Sequence, residues 1–120
     1  MRAELHPTLR WRTEIALPLA TDLRAWDAEI RGLDPEPWRC RVEGETNISD
    51  GQALERRLSL KLRDDPAGHL ILLVSDTRAN RAALASLRAG LREMFPASAR
   101  DVLRALREGR EPSGNAVVVM

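Results

Sequence analysis

The chain has one cysteine, Cys40, and one lysine, Lys61, among its 120 residues. A lone thiol cannot close an internal disulfide, which points to a reducing compartment. No apolar run reaches the roughly 18 residues needed to cross a bilayer, so no membrane partner is expected. The start lacks the charged-then-apolar pattern of a signal peptide, and the expected location is the cytoplasm. Internal repeats and low-complexity segments are also lacking. The formal net charge is only +1, which excludes bulk attraction to nucleic acid and leaves room only for a local basic patch. His6 and His69 lie too far apart in sequence to form a metal-ligand pair. The basic residues other than Lys61 are all arginine, as a GC-rich coding preference would give. Lys61 is therefore the one basic position where arginine was not used.

What is present describes an ordinary globular chain, 43% apolar and 31% charged. Its length fits a single domain over residues 1–120 that buries a core without disulfides. Met1 to Leu5 reads as the tail of a helix, ended at His6-Pro7 because the residue before proline leaves the helical region. An upstream helix would then be missing, and Met1 need not be the natural start. Leu9 to Leu17 alternates, with Leu9, Trp11, Thr13, Ile15 and Leu17 on one side and Arg10, Arg12, Glu14 and Ala16 on the other. That period of two predicts a strand with one buried face, stopped by Pro18. A second strand is expected over Asp22 to Arg31, then a loop over Gly32 to Pro37. A third strand is expected over Trp38 to Thr46, with Cys40 buried on its apolar face. Short connections favour an antiparallel meander.

The period then changes. Ser49 to Arg63 reads as a helix with the apolar row Leu54, Leu58 and Leu62. Ser49 and Gln52 have the spacing of a capping box. His69 to Ser75 is a continuous apolar run, as in a strand buried on both faces. One helix is expected from Asp76 or Thr77 to about Phe95, and a short one from Ser98 to Glu108 capped by Gly109. Asp76 is read as an N-cap, with an anion held at the same helix start as the other reading. A final strand over Asn115 to Met120 completes a parallel pair with a right-handed crossover. The expected fold class is α/β, an antiparallel three-strand meander followed by helix, strand, helix, helix and strand.

Glu43 and Glu45 sit at i and i+2 of one strand and point to one face, roughly 7 Å apart. Carboxylates that close repel unless a cation lies between them. Asp27 on the neighbouring strand and Glu14 on the remaining strand of the meander would complete a set of oxygens suited to Mg²⁺ or Mn²⁺. Such an ion could activate water and neutralise a phosphate. Strict alternation groups Asp27 with Leu23 and Ala25, so a bulge would be needed to aim it there. The other reading pairs the acids with Arg10, Arg12, Arg39 and Arg41 across a solvated sheet face. Trp11, Trp26 and Trp38 are read as core, with base stacking as the other option.

Several strings carry a resemblance. They are Trp11-Arg12-Thr13-Glu14, Asp22-Leu23-Arg24-Ala25-Trp26-Asp27, Val42-Glu43-Gly44-Glu45-Thr46 and Gln52-Ala53-Leu54-Glu55-Arg56-Arg57. Asp76-Thr77-Arg78-Ala79-Asn80-Arg81 and Gly114-Asn115-Ala116-Val117-Val118-Val119 follow. Together they resemble the C-terminal domain of actinobacterial regulators that carry a Cro-like helix-turn-helix, over most of the chain from His6 onward. The element order is similar to the restriction-endonuclease-like (PD-(D/E)XK-type) fold, whose core is helix, three strands, helix, strand. That resemblance implies Asp27 as the first acid and Glu43 as the second, with Glu45 standing where the family has lysine. In some members the lysine moves to the following helix. Lys61 is the candidate for that role, about four turns along, so it would have to reach back toward the strand. Gln52 resembles a helix glutamine of some nuclease branches.

The resemblance thus implies a catalytic set of Asp27, Glu43, Glu45, Gln52 and Lys61, and a metal set of Glu14, Asp27, Glu43 and Glu45 for Mg or Mn. It implies DNA as partner and a covalently linked helix-turn-helix domain absent from this chain. Three functions follow as expectations. One is a metal-dependent DNA phosphodiesterase. Another is a non-catalytic module for homodimerisation, ligand sensing or partner binding in a transcriptional regulator. The last is a partner of a toxin or phage component.

Overall fold

A computed structural model describes residues 1–17 and 25–120. After a 3-10 turn at Arg2–Glu4 come β1 (Arg10–Ala16), β2 (Ala25–Gly32), β3 (Trp38–Glu45), α1 (Gly51–Asp64) and β4 (His69–Val74). Helices α2 (Arg78–Ser86), α3 (Arg88–Met94) and α4 (Ala99–Arg107) follow, then β5 (Ala116–Val119). The strands form one mixed sheet in the order β1-β2-β3-β4-β5. The first three are an antiparallel meander, and β3, β4 and β5 run parallel. The expected stop at Pro18 and the start of the second strand at Asp22 lie outside the described residues.

Helices cover both faces of the sheet. Leu54 and Leu58 of α1 and Leu91 of α3 pack on Leu70, Leu72 and Val74 of β4, with Ala83 and Leu84 of α2 beside them. Val102 and Leu106 of α4 pack on the other face, against Ile30, Cys40, Val42, Ile71 and Val118. β4 contributes to both cores, which is why its sequence is apolar without alternation. Cys40 is fully buried, and that burial pushes its thiol pKa up to about 12. Among the described residues, no helix is long and apolar enough to cross a membrane.

Several boundaries differ from the sequence reading. The N-cap of α1 is Asp50, whose carboxylate accepts from the amide of Ala53 at 3.1 Å. The Ser49/Gln52 capping box does not form, since the cap lies one residue later. The long helix expected from Asp76 to Phe95 is two helices, broken at Leu87, where φ/ψ of −102/8 leaves the helical region. Thr77 caps α2, and Asp76 instead pairs with Arg81 at 2.6 Å. Ser98 caps α4, and Gly109 follows it with φ +74, a conformation that favours glycine.

One buried amide joins two loops. Asn80 is fully buried, and its side-chain nitrogen donates to the carbonyls of Thr46 at 3.0 Å and Ser75 at 2.9 Å. Its oxygen accepts from the amide of Ile48 at 2.9 Å. The chain segments leaving β3 and β4 are thereby held to the first turn of α2.

Candidate functional site

Alternation fails in the β1–β2 hairpin, and that failure positions the acids. Along β1 and its flanks, Leu9 and Trp11 pack with the α4-side core, whereas Ile15 and Leu17 pack on the α1 side. In β2, Ala28 and Ile30 face α4, whereas Trp26 faces α1. The switch falls at Glu14, whose φ is +52, and at Asp27 opposite it in register. A left-handed residue inside a strand turns the following side chains to the other face. The backbone pairing of β2 with β3 extends no further than Ala28 and Val42. Beyond it, the carboxylate of Asp27 accepts from the amide of Gly44 at 2.7 Å. A side chain thus replaces a backbone carbonyl as the next rung.

The odd-numbered residues of β3 meet α1. Glu43 and Lys61 are 3% and 7% exposed. The ammonium of Lys61 lies 2.5 Å from Oε2 of Glu43 and donates at 2.8 Å to the carbonyl of Ala25. Lys61 is three residues after Leu58 and seven after Leu54, both buried, so it shares the packed face of α1. Helical side chains lean toward the N-terminus of their helix, and this lean carries the ammonium back toward the end of β3. The distance along the helix axis therefore does not prevent contact.

Two cations lie over the Trp26 ring, the Arg41 guanidinium at 4.9 Å and the Lys61 ammonium at 5.2 Å from its centroid. Its indole nitrogen donates to Asp65 at 2.7 Å. Arg39 binds the same carboxylate with two nitrogens, at 2.9 and 3.1 Å, and reaches Glu29 at 2.9 Å. Arg41, fully buried, donates to the carbonyls of Asp65, Gly68 and His69. Among the described residues, no buried side-chain nitrogen or oxygen lacks a partner.

These surroundings move the titrating groups in different directions. Burial lifts the pKa of Glu43 above its usual value, and the nearby charge of Asp27 adds to the lift. The hydrogen bond and charge of Lys61 oppose it without cancelling it. Burial would lift Asp65 too, but hydrogen bonds from Arg39 and Trp26 and the charges of Arg39 and Arg41 outweigh it and hold that carboxyl below its usual range. Burial, with repulsion from Arg39, lowers the pKa of Arg41.

The sequence-derived set is thus only partly brought together. Glu43, Lys61 and Asp27 are neighbours. Glu45 is half-buried and paired with Arg57. Glu14 is exposed at the hairpin switch, and Gln52 is exposed in the first turn of α1. Among the described residues, no three His, Cys, Asp or Glu side chains gather to hold an ion. Asp27 is committed to an amide, Glu43 to Lys61 and Glu45 to Arg57, so as placed these oxygens do not fit a divalent ion. Among the described residues, the pairing of these acids with Arg10, Arg12, Arg39 and Arg41 does not form, since Glu43 pairs with Lys61 and Glu45 with Arg57; a cross-strand pair forms instead at Glu29 and Arg39, beneath α1 and not on a solvated face. Asp65 and Trp26 were not anticipated as members of this layer. The signal for them was the run of arginines alternating on a strand that a helix had to cover.

Comparison with protein-family models, with curated proteins and with solved structures gave no significant match.

Proposed function

We propose that the chain is a restriction-endonuclease-like domain of the cytoplasm, associated with DNA transactions or transcriptional regulation, whose acid–lysine set holds the fold together and performs no catalysis. The observation that carries this reading is the Glu43–Lys61 pair. In a working phosphodiesterase both groups would have to meet water, an ion and a phosphate. Here only 4% of the Glu43 side chain and 8% of the Lys61 side chain is accessible. An ion between Asp27 and Glu43 would have to displace the ammonium. The meander, the following helix and the parallel fourth strand agree with the element order of that fold.

The nuclease reading has one observation in its favour. Lys61 does reach Glu43, and Asp27 is near enough for its charge to act on Glu43, as a helix-borne lysine would require.

Two measurements on the purified protein separate the readings. Incubated with supercoiled plasmid and Mg²⁺ or Mn²⁺, it is expected to leave the plasmid intact and to give no binding heat with either metal. Metal-dependent cutting that Glu43→Gln abolishes would overturn the proposal. By denaturant unfolding, Glu43→Leu and Lys61→Met should each cost about 3–5 kcal/mol, because each leaves a buried charge alone. The double variant should recover most of that loss, since an apolar pair of similar volume replaces a buried ion pair at little cost. Additive losses in the double variant would contradict a fold-holding pair.

A further inference from the structure

The two edges of the sheet are unlike. β1 carries Arg10, Arg12 and Glu14, the last in the left-handed region, and these discourage pairing with another strand. β5 has the sequence Ala-Val-Val-Val, with no charge, proline or bulge. The amide of Met120 donates to the carbonyl of Val74 at 3.0 Å. In a parallel ladder, alternate residues bond to the same neighbour. Val118 and Met120 therefore face β4, and Val117 and Val119 turn their N–H and C=O groups outward.

Beside this edge lies an open groove of about 210 Å³, with Leu84, Leu91, Phe95 and Val117 among its walls and Arg88 and Arg92 at its rim. The two arginines are one turn apart on α3, a spacing at which like charges repel. Among the described residues neither has a hydrogen-bond or ion-pair partner. Glu93 lines a separate cleft with Glu55 and Met94, and among the described residues no ion pair joins it to Arg88 or Arg92. The groove thus combines unpaired strand amides, an apolar floor and uncompensated positive charge.

We infer that this edge binds an extended acidic segment of a partner protein. The segment adds a sixth strand beside β5, places an apolar side chain in the groove and sets its carboxylates against Arg88 and Arg92. Backbone pairing would supply affinity, and the alternating side chains would supply selectivity. A second copy of this chain fits less well, because β5-to-β5 pairing would bring the same arginines of both protomers to one edge. The inference does not depend on whether the acid–lysine layer is catalytic.

The test is an array of hexapeptides that alternate Asp or Glu with Val, Ile, Leu or Phe, followed by fluorescence anisotropy on the strongest binders. Lysine-for-acid counterparts, peptides N-methylated at alternate amides and a short DNA duplex serve as comparisons. Acidic peptides should bind the wild-type protein at least about tenfold more tightly than their lysine counterparts, and N-methylation should remove binding. The exposed double substitution Arg88→Glu with Arg92→Glu should reverse the preference, with circular dichroism reporting that the fold is kept. If no acidic peptide exceeds its lysine counterpart, or if the preference survives charge reversal, the proposal fails. It fails equally if the duplex alone binds and charge reversal removes that binding, since the arginines would then serve nucleic acid.

Discussion

Glu43 and Asp65 both lie between the sheet and α1, and their neighbours push them opposite ways. The raised pKa of Glu43 means that ionising it costs more in the folded protein than in the unfolded one. Its contribution is therefore complete below the ordinary glutamate value, near pH 4.3, and is lost as pH rises through the folded value. Asp65 is lowered, so its contribution is present above the ordinary aspartate value, near pH 3.9, and is lost as pH falls through the folded value. Wild type should be at its best against Glu43→Gln in acid, and that advantage should shrink as pH rises through the folded value. Against Asp65→Asn the advantage should be full at neutral pH and should close in acid. Urea unfolding of the three proteins across pH reads both slopes. Slopes of one sign would show that the two carboxyls share one environment.

At the scale of elements, the hairpin switch at Glu14 and Asp27 makes the clearest expectation. Asp27→Ala removes the last rung between β2 and β3 and should cost about 1 kcal/mol, because the freed amide of Gly44 is exposed and water can partly replace the carboxylate. Glu14→Gly should cost nothing or stabilise slightly, since a non-glycine residue held at positive φ carries about 1 kcal/mol or more of strain. Thermal unfolding distinguishes them by sign. The same place marks how far the sequence was legible. The period of two located β1 and β3, with β2 expected between them, and the need for a distortion at Asp27 could be read from its parity with Ala25. The face change of Ile15 and Trp26 could not, because strict alternation assumes an undistorted strand. For Lys61, counting turns along the helix omitted the lean of its side chain. The break at Leu87 had no glycine or proline to announce it, and the uninterrupted row of Leu84, Leu87 and Leu91 suggested one helix. β4 and the caps Ser98 and Gly109 were legible because each obeys a local rule.

For the whole molecule, charge is distributed by layer. The layer between the sheet and α1 holds Glu29, Arg41 and Glu43 from the strands and Lys61 and Asp65 from α1 and its C-cap, while the face under α4 is apolar. Buried ionic layers are weak sources of net stability and are sensitive to the loss of any one member. Asn80 ties this arrangement together at one end of the sheet. Asn80→Ala would leave three backbone groups without their partner and should cost about 3 kcal/mol. Circular dichroism melts of the purified variant measure it, and a loss below about 1 kcal/mol would mean that water substitutes freely.

That single amide also has a kinetic meaning. Because it grips the strand exits of β3 and β4 at once, neither exit can detach while the other stays closed. Deuterium uptake at Ile48 should therefore keep pace with uptake in the opening turn of α2, and Asn80→Ala should let the two drift to separate rates. The part of the molecule that breathes would then be one unit, although it is assembled from stretches more than thirty positions apart.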